Sequence, residues 1–361
     1  MYASHRDSCI LSKYSYDLCQ FLEEEYIRSN ISESVVAYRK LGQANYDFSA
    51  RAYRFAIKSG PCVVICYDIS KFFDTLDHRI LKSRLKTILG VTELREDWYK
   101  VFRHVSQFSY VLREELKNHP TLESRFNSKS RRPIATIGEV KELGIRITSN
   151  DLKKGIPQGT PISSALSNLY MLEVDREMVR ITRECGGFYQ RYSDDILIIC
   201  TAGSEKMLRL RFEELIAAHK LKINRDKMER AEIGSGKIGR FQYLGFDIDE
   251  QGATIRHSSL SNQWRRAKRN LKRARHIGQK AILAGHAKKI FTSTLRKRFQ
   301  PIGIRRSFSS YARRSAKAFG SKRILNQVRR FERVMRAAID ELNPRVSPSS
   351  AVAGLTLGTS S

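Results

Sequence analysis

The chain has 361 residues, 41% apolar and 29% charged, which is enough apolar material for a packed core and room for two or three modules, so wholesale disorder is excluded. No apolar run approaches the roughly 20 residues that span a bilayer, and the N-terminus MYASHRDSCI lacks a hydrophobic signal core; no membrane segment and a cytoplasmic setting are expected. The formal net charge is +29, and 25 basic residues against one acid, Glu332, fall between Arg256 and Arg336, a self-repelling stretch that needs a polyanion opposite it, with nucleic acid the leading candidate.

In chain order, residues 1–60 read as helical, with YSYDLCQFLEEEYIRS amphipathic and ISESVVAYRKL a short apolar and basic segment. PCVVICYDI (61–69) concentrates β-branched and aromatic residues after a proline and predicts a buried strand. HRILKSRLKTILG (78–90) predicts a helix closed by Gly90. Residues 91–150 read as mostly helical and polar, closing with a short hairpin through IATIGEVKELGIRIT. SSALSNLYMLEVDREMVRITRE (163–184) predicts one long helix, and FYQRYSDDILIIC (188–200) a β-hairpin turning at a Ser-Asp pair. Leu208, Phe212, Leu215 and Ile216 line one face of a following helix. FQYLGFDID (241–249) reads as a further strand, and basic helices run from there to about Leu342. The tail 346–361 reads as disordered. Six scattered cysteines without CxxC or Cys/His spacing point to reduced thiols rather than to a zinc or disulfide framework.

Three segments carry chemistry together. Asp68 ends the strand before Ile69-Ser70-Lys71-Phe72-Phe73; GIPQGTPIS (155–163) is a Gly/Pro-pinned loop feeding the long helix; Asp194 and Asp195 are adjacent acids at a hairpin tip. Two neighbouring carboxylates between greasy strands repel with little water to screen them, and a divalent cation removes that cost. A third carboxylate from another strand completes a hard oxygen site of the kind Mg²⁺ accepts. Any one of these signals alone is more often an ordinary turn or cap; the three in order, with a basic helical region behind them, are not a coincidence of composition.

These motifs resemble those of reverse transcriptases, of the bacterial kind related to retron, group II intron and defence-associated enzymes. YDISKFFDTLDH resembles the first palm motif, KGIPQGTPISSALSNLYM the second, YSDD the YxDD signature, LKINRDK (221–227) the fourth motif and FQYLGFDID the primer grip. The resemblance runs from about residue 61 to 250. It implies an α+β right-hand fold with an N-terminal fingers region (1–60), an antiparallel-sheet palm (61–255) with a fingers insertion at about 78–157, and a basic helical thumb (256–345).

Carried over by position, the resemblance implies Asp68, Asp194, Asp195 and the carbonyl of Ile69 as ligands of two Mg²⁺ ions, with Mn²⁺ a substitute. Asp194 would touch both ions and Asp195 less directly. It also implies amides of Lys71, Phe72 and Phe73 on the nucleotide triphosphate, Phe73 as the ring that rejects a 2′-hydroxyl, Gln158 and Gly159 lining the nucleotide pocket, and Lys227 protonating the pyrophosphate. Arg39, Lys40, Arg51 and Arg54 are weaker candidates for triphosphate contacts. Arg265, Arg266, Arg269, Lys272, Arg273 and Arg275, on a helix with a thin apolar seam of Leu271 and Ile277, are the expected nucleic-acid contacts. Phe308, Tyr311 and Phe331 are either base-stacking or core residues, with core favoured.

The partners implied are an RNA template, a DNA or RNA primer, deoxynucleotides, a structured non-coding RNA, and a companion protein or second copy. Retron-specific Asn-Ala-x-x-His and Val-Thr-Gly stretches are missing, and the chain after the thumb is too short for RNase H, integrase or endonuclease modules; a stand-alone enzyme of antiviral defence is the nearest type. The alternatives are an RNA-directed RNA polymerase, against which Phe73 argues, a catalytically silent RNA-binding scaffold, and an untemplated or protein-primed nucleotidyltransferase.

Overall fold

The computed structural model describes residues 4–128, 133–236, 239–299 and 307–343; the tail 346–361 lies outside them. The elements in order are α1 (His5–Arg28), α2 (Asn45–Lys58), β1 (Cys62–Asp68), the one-turn α3 (Phe72–Thr75), α4 (His78–Ile88), α5 (Glu96–Ser106), β2 (Ser109–Tyr110), α6 (Arg113–Asn118), α7 (Pro120–Asn127), α8 (Ile137–Glu142), β3 (Thr148–Ser149), α9 (Ser163–Glu184), β4 (Phe188–Tyr192), β5 (Asp195–Cys200), α10 (Ala202–Ala218), β6 (Glu229–Ile233), β7 (Arg240–Tyr243), β8 (Phe246–Asp249), β9 (Gly252–Ile255), α11 (His257–Leu283), α12 (Ser293–Phe299), α13 (Phe308–Phe319) and α14 (Lys322–Asp340). The class is α+β, as expected. The chain forms two compact units, one of residues 1–42 and 61–232, the other of 43–60 and 233 onward.

The first unit is organised by a sheet of order β4-β5-β1-β6. Six of the seven β1 residues are buried, so the strand is apolar on both faces and its side chains alternate between them. Val63, Ile65 and Tyr67 join the core formed with α9 and α10, where Leu169, Tyr170, Leu208 and Phe212 are buried. Val64, Cys66 and Asp68 therefore occupy the opposite face. On α10, Leu208, Phe212 and Ile216 are buried as the helical spacing predicts, and Leu215 is packed at the margin.

Two expectations for this unit are corrected. Residues 29–44 are not helical, because Ser34–Val36 lies extended against β4: the Arg191 amide donates to the Ser34 carbonyl (2.7 Å) and the Val36 amide to the Arg191 carbonyl (3.0 Å). The stretch 134–148 is not a hairpin. Thr136 and Glu139 form a reciprocal cap, with Glu139 N donating to the Thr136 hydroxyl (3.2 Å) and Thr136 N to the Glu139 carboxylate (2.7 Å), which starts α8. Val140 on that turn is buried with Leu122 and Ile145, and the short β3 pairs instead with β2.

In the second unit, 241–249 is a hairpin rather than one strand: β7 and β8 pair antiparallel through Leu244 (φ 47°) and Gly245 (φ 89°), the two consecutive positive φ values that a tight two-residue turn requires. β9 extends the sheet. Around Phe331, which is fully buried, Trp264, Phe299 and Phe308 pack edge-on at 4.8, 6.5 and 5.4 Å, and Tyr311 stacks on Phe246 at 6.3 Å. These aromatics are core. Phe331→Ala is expected to cost on the order of 3–5 kcal/mol, read as a lowered melting temperature; a base-stacking role alone would leave the melting temperature unchanged.

Candidate active site

The register of the sheet assembles the acids. β1 and β5 are antiparallel with Asp68 directly opposite Asp195, so their Cα atoms are roughly 4.5–5.5 Å apart and both side chains leave the same face of the sheet. Asp194 is the adjoining turn residue, because β4 and β5 meet at the Tyr192–Asp195 pair with only Ser193 and Asp194 between them. The cysteine on the same face, Cys66, is buried, and burial first, then Glu229 and Asp195, push its thiol well above the usual value. Cys200 is pushed to about 11 by burial above all. All six cysteines are free, and these two buried thiols are not poised for thiolate chemistry.

The hairpin tip is held from behind. Ser193 is buried and sits at φ 62°, a left-handed conformation that costs a non-glycine residue on the order of 1–2 kcal/mol. Its hydroxyl pairs with the Tyr38 hydroxyl (3.0 Å) and its carbonyl accepts from Arg191 Nη1 (3.1 Å). Arg191 is fully buried. It grips Asp175 through two 2.7 Å bonds and also donates to the Asn168 side chain (3.1 Å), while the Tyr189 hydroxyl donates to Asp175 (2.8 Å). Tyr192, at the base of the turn, has its phenol pushed up by burial and by the neighbouring Tyr38 and Asp195.

A second strand-like segment fastens the other side of Asp68. Asn224 N donates to the Asp68 carbonyl and Ser70 N to the Lys222 carbonyl, each at 2.8 Å. Ile69 therefore faces Ile223 as the non-hydrogen-bonded partner and spends no carbonyl in that ladder. The 3₁₀ turn Arg225–Lys227 then carries Lys227 to the Asp68 carboxylate, with Nζ at 3.2 and 3.1 Å from its two oxygens, and Asn224 Nδ2 lies 3.1 Å from one of them. Asn224 is a contact that the sequence reading missed.

The glycine loop is stitched to the chain just after Asp68. Lys71 (φ 47°) opens α3; Ile156 N donates to the Phe73 carbonyl and Gly155 N to the Leu76 carbonyl, both at 2.8 Å. Gly155 has φ 87°, and a Cβ there would lie 2.9 Å from the Asp74 carbonyl oxygen, so only glycine allows this approach. The Ser163 hydroxyl donates to the Pro157 carbonyl (2.5 Å), folding the loop back onto the start of α9 and leaving Gln158 and Gly159 exposed. Phe72 is buried; Phe73 is half-buried with its ring edge-on to Phe72 at 5.4 Å. Of the weaker candidates, Arg39 is committed elsewhere: its side chain is 3% exposed, bonded to Glu23 and to the carbonyls of Ser32 and Val35. Arg54 donates to the Ala318 carbonyl (2.9 Å) in the second unit.

Among the described residues no three His, Cys, Asp or Glu side chains stand in a metal-holding arrangement, and the Asp68 carboxylate is paired with Lys227. The donor set itself, two carboxylates opposed across a ladder with a third beside them, is all hard oxygen and fits a divalent cation of the Mg²⁺ type.

Residues 8–248 match the reverse transcriptase (RNA-dependent DNA polymerase) family. The chain belongs to that family. A search of curated protein sequences gave no match. Among solved structures, apo telomerase from Candida tropicalis is similar at 13% identity and TM-score 0.49 over 93% of this chain and 52% of that one. A C-terminally truncated form of it gives 15%, 0.45, 68% and 45%, and telomerase from Candida albicans in complex with the TWJ fragment of telomeric RNA gives 10%, 0.44, 93% and 54%. The chain spans about half the length of these structures, and likenesses of this size carry no argument about activity.

In this reverse transcriptase family member the basic helix belongs to the second unit. Arg265, Arg266, Arg269, Lys272, Arg273 and Arg275 are all exposed on α11, and none is ion-paired among the described residues. The apolar seam runs through Trp264, Ala267, Leu271 and Ala274. Ile277, expected in that seam, is 55% exposed. The packed position is one residue on, at Gly278, where a Cβ would meet Ile290 at 2.7 Å.

Removing Arg191 tests the support of the turn. Arg191→Met strands the Asp175 charge in the core and is expected to cost about 3–5 kcal/mol in urea unfolding, whereas Arg191→Met with Asp175→Leu is expected to recover a large part of that loss. Equal losses in the single and double variants would contradict a coupled buried pair.

Proposed function

We propose that the chain is an RNA-directed DNA polymerase that adds deoxynucleotides to a 3′-hydroxyl at the acids gathered by β1 and β5. The observation that carries this reading is the direct pairing of Asp68 with Asp195, with Asp194 adjoining. Asp68, Asp194 and Asp195, with the Ile69 carbonyl, would hold two divalent ions, Mg²⁺ or in its place Mn²⁺. Bound there, such ions neutralise charge on the attacking and leaving oxygens. The hydroxyl oxygen gives up its proton to solvent water and bonds to the α-phosphorus, the bond to the bridging oxygen breaks, and pyrophosphate departs with a proton that Lys227 is placed to supply.

The remaining side chains orient rather than react. The amides of Lys71, Phe72 and Phe73 open α3 and are free of intrahelical partners, as at any helix start, so they suit the triphosphate. Gln158 and Gly159 form the exposed crest of the loop bonded to Phe73 and line the nucleotide pocket. Phe73, pinned by Phe72 and by its own carbonyl bond to Ile156, sets a wall beneath the sugar that admits a deoxyribose.

By the same reading the four-stranded sheet with α9 and α10 is the palm, residues 1–60 and the insertion at about 78–157 the fingers, and 256–345 the thumb. Its exposed Arg265, Arg266, Arg269, Lys272, Arg273 and Arg275 contact template–primer phosphates, and exposure without carboxylate partners supports that role. A cytoplasmic enzyme of antiviral defence, working with a structured non-coding RNA and a companion protein or second copy, is the setting that the sequence resemblance supports. No described helix is long and apolar enough to cross a membrane.

Primer extension on an RNA template tests the reading. Asp194→Asn is expected to lower the rate more than about 100-fold with RNA binding retained; extension at the wild-type rate would overturn it. Phe73→Ala is expected to raise ribonucleotide incorporation relative to deoxynucleotide by about tenfold or more, and wild-type enzyme that already uses both equally would remove the gate.

A further inference from the structure

The Asp68 carboxylate of the site is already held by a side-chain cation. Lys227 Nζ reaches both of its oxygens, at 3.2 and 3.1 Å, and Asn224 adds a third contact, from a second donor, at 3.1 Å to one of them. The two partners are not equal. Asp68 is 17% exposed and fixed in β1, whereas Lys227 is 64% exposed on a three-residue turn, so the lysine is the member free to leave.

A carboxylate has about four lone-pair sites. Three contacts from these two donors leave little of it for a metal ion, and an ammonium beside a divalent cation is repelled by it.

We propose that Lys227 and a divalent cation compete for Asp68: the lysine holds the carboxylate in the resting enzyme, screens it from Asp195 opposite, and is released toward the nucleotide phosphates when metal enters. This rests on the metal-site reading above and adds an order of events to it. The same residue thereby offsets the charge of Asp68 before binding and is freed only once the cation has replaced it.

The test is Mn²⁺ binding without nucleotide or nucleic acid, followed by electron paramagnetic resonance and calorimetry on the full chain, with circular dichroism confirming that each variant is folded. Lys227→Met is expected to bind Mn²⁺ on the order of fivefold more tightly at low salt, the size of one partly exposed ion pair, and the advantage is expected to shrink as salt screens the pair. Lys227→Arg, which keeps the charge, is expected to stay near wild type. Asp68→Asn is expected to weaken binding in either background and to erase the difference between Lys and Met at 227. If Lys227→Met binds Mn²⁺ no more tightly while Asp68→Asn weakens it, the competition is overturned and the metal site stands. If Asp68→Asn leaves binding untouched, the metal site itself is overturned and the competition falls with it.

Discussion

Two carboxylates directly opposite each other on neighbouring strands are an unfavourable pairing, and the first unit is built around keeping that pairing in place. β1 and β5 run buried in register from Val63–Cys200 to Tyr67–Ile196 before the acids meet at Asp68–Asp195. Because side chains alternate, a slip of one residue would send Asp68 into the helix-packed face where Tyr67 now sits. The apolar pairs behind the acids, each fully or nearly fully buried, are what make such a slip costly. The core thus fixes where the acids of the site stand.

The hairpin tip needs separate support, since a two-residue turn with serine at positive φ is strained on its own. A buried arginine supplies it, reaching from β4 to the Ser193 carbonyl while its charge is matched by Asp175 and its backbone is tied to Ser34 and Val36. The burial of an ion pair of this kind is weak evidence for added stability, but neither partner can leave without stranding the other's charge in the core. The third support is the segment Lys222–Lys227, which pairs beside Asp68 and delivers two donors to it. Turn, strand end and flanking segment converge on one face, and the glycine loop is sewn to the same stretch through Phe73 and Leu76.

Much of this was legible in the sequence. The buried strand at 62–68, the long helix at 163–184, the hairpin around Ser193–Asp194 and the helix bearing Leu208, Phe212 and Ile216 follow from composition and periodicity, and the five motifs are recognised by their resemblance to those of reverse transcriptases. What escaped has physical causes. Arginine reads as a surface residue, so nothing marked Arg191 as the buried prop of the turn. Leu244 at φ 47° is a poor turn residue by type, which is why 241–249 read as one strand. Ser34–Val36 pairs with a residue over 150 positions away, beyond the reach of local pattern, so the segment read as helix. Ile277 is apolar and one position from the seam, which continues from Ala274 to Gly278, where Ile290 approaches closely. Asn224 lacks any signal of its own; it matters because backbone pairing carries it to Asp68.

The convergence of three chain segments on one cation site is the claim on which the rest stands, and localised cleavage addresses it most directly. Fe²⁺ substituted for Mg²⁺, with ascorbate and peroxide, generates hydroxyl radicals that cut backbone near the bound ion. Cuts clustered around residues 68–70, 192–195 and 224–227, all suppressed by excess Mg²⁺ and lost in Asp194→Asn, are the expected result. Cleavage confined to one of the three segments, or unaffected by Mg²⁺, would contradict a shared metal site.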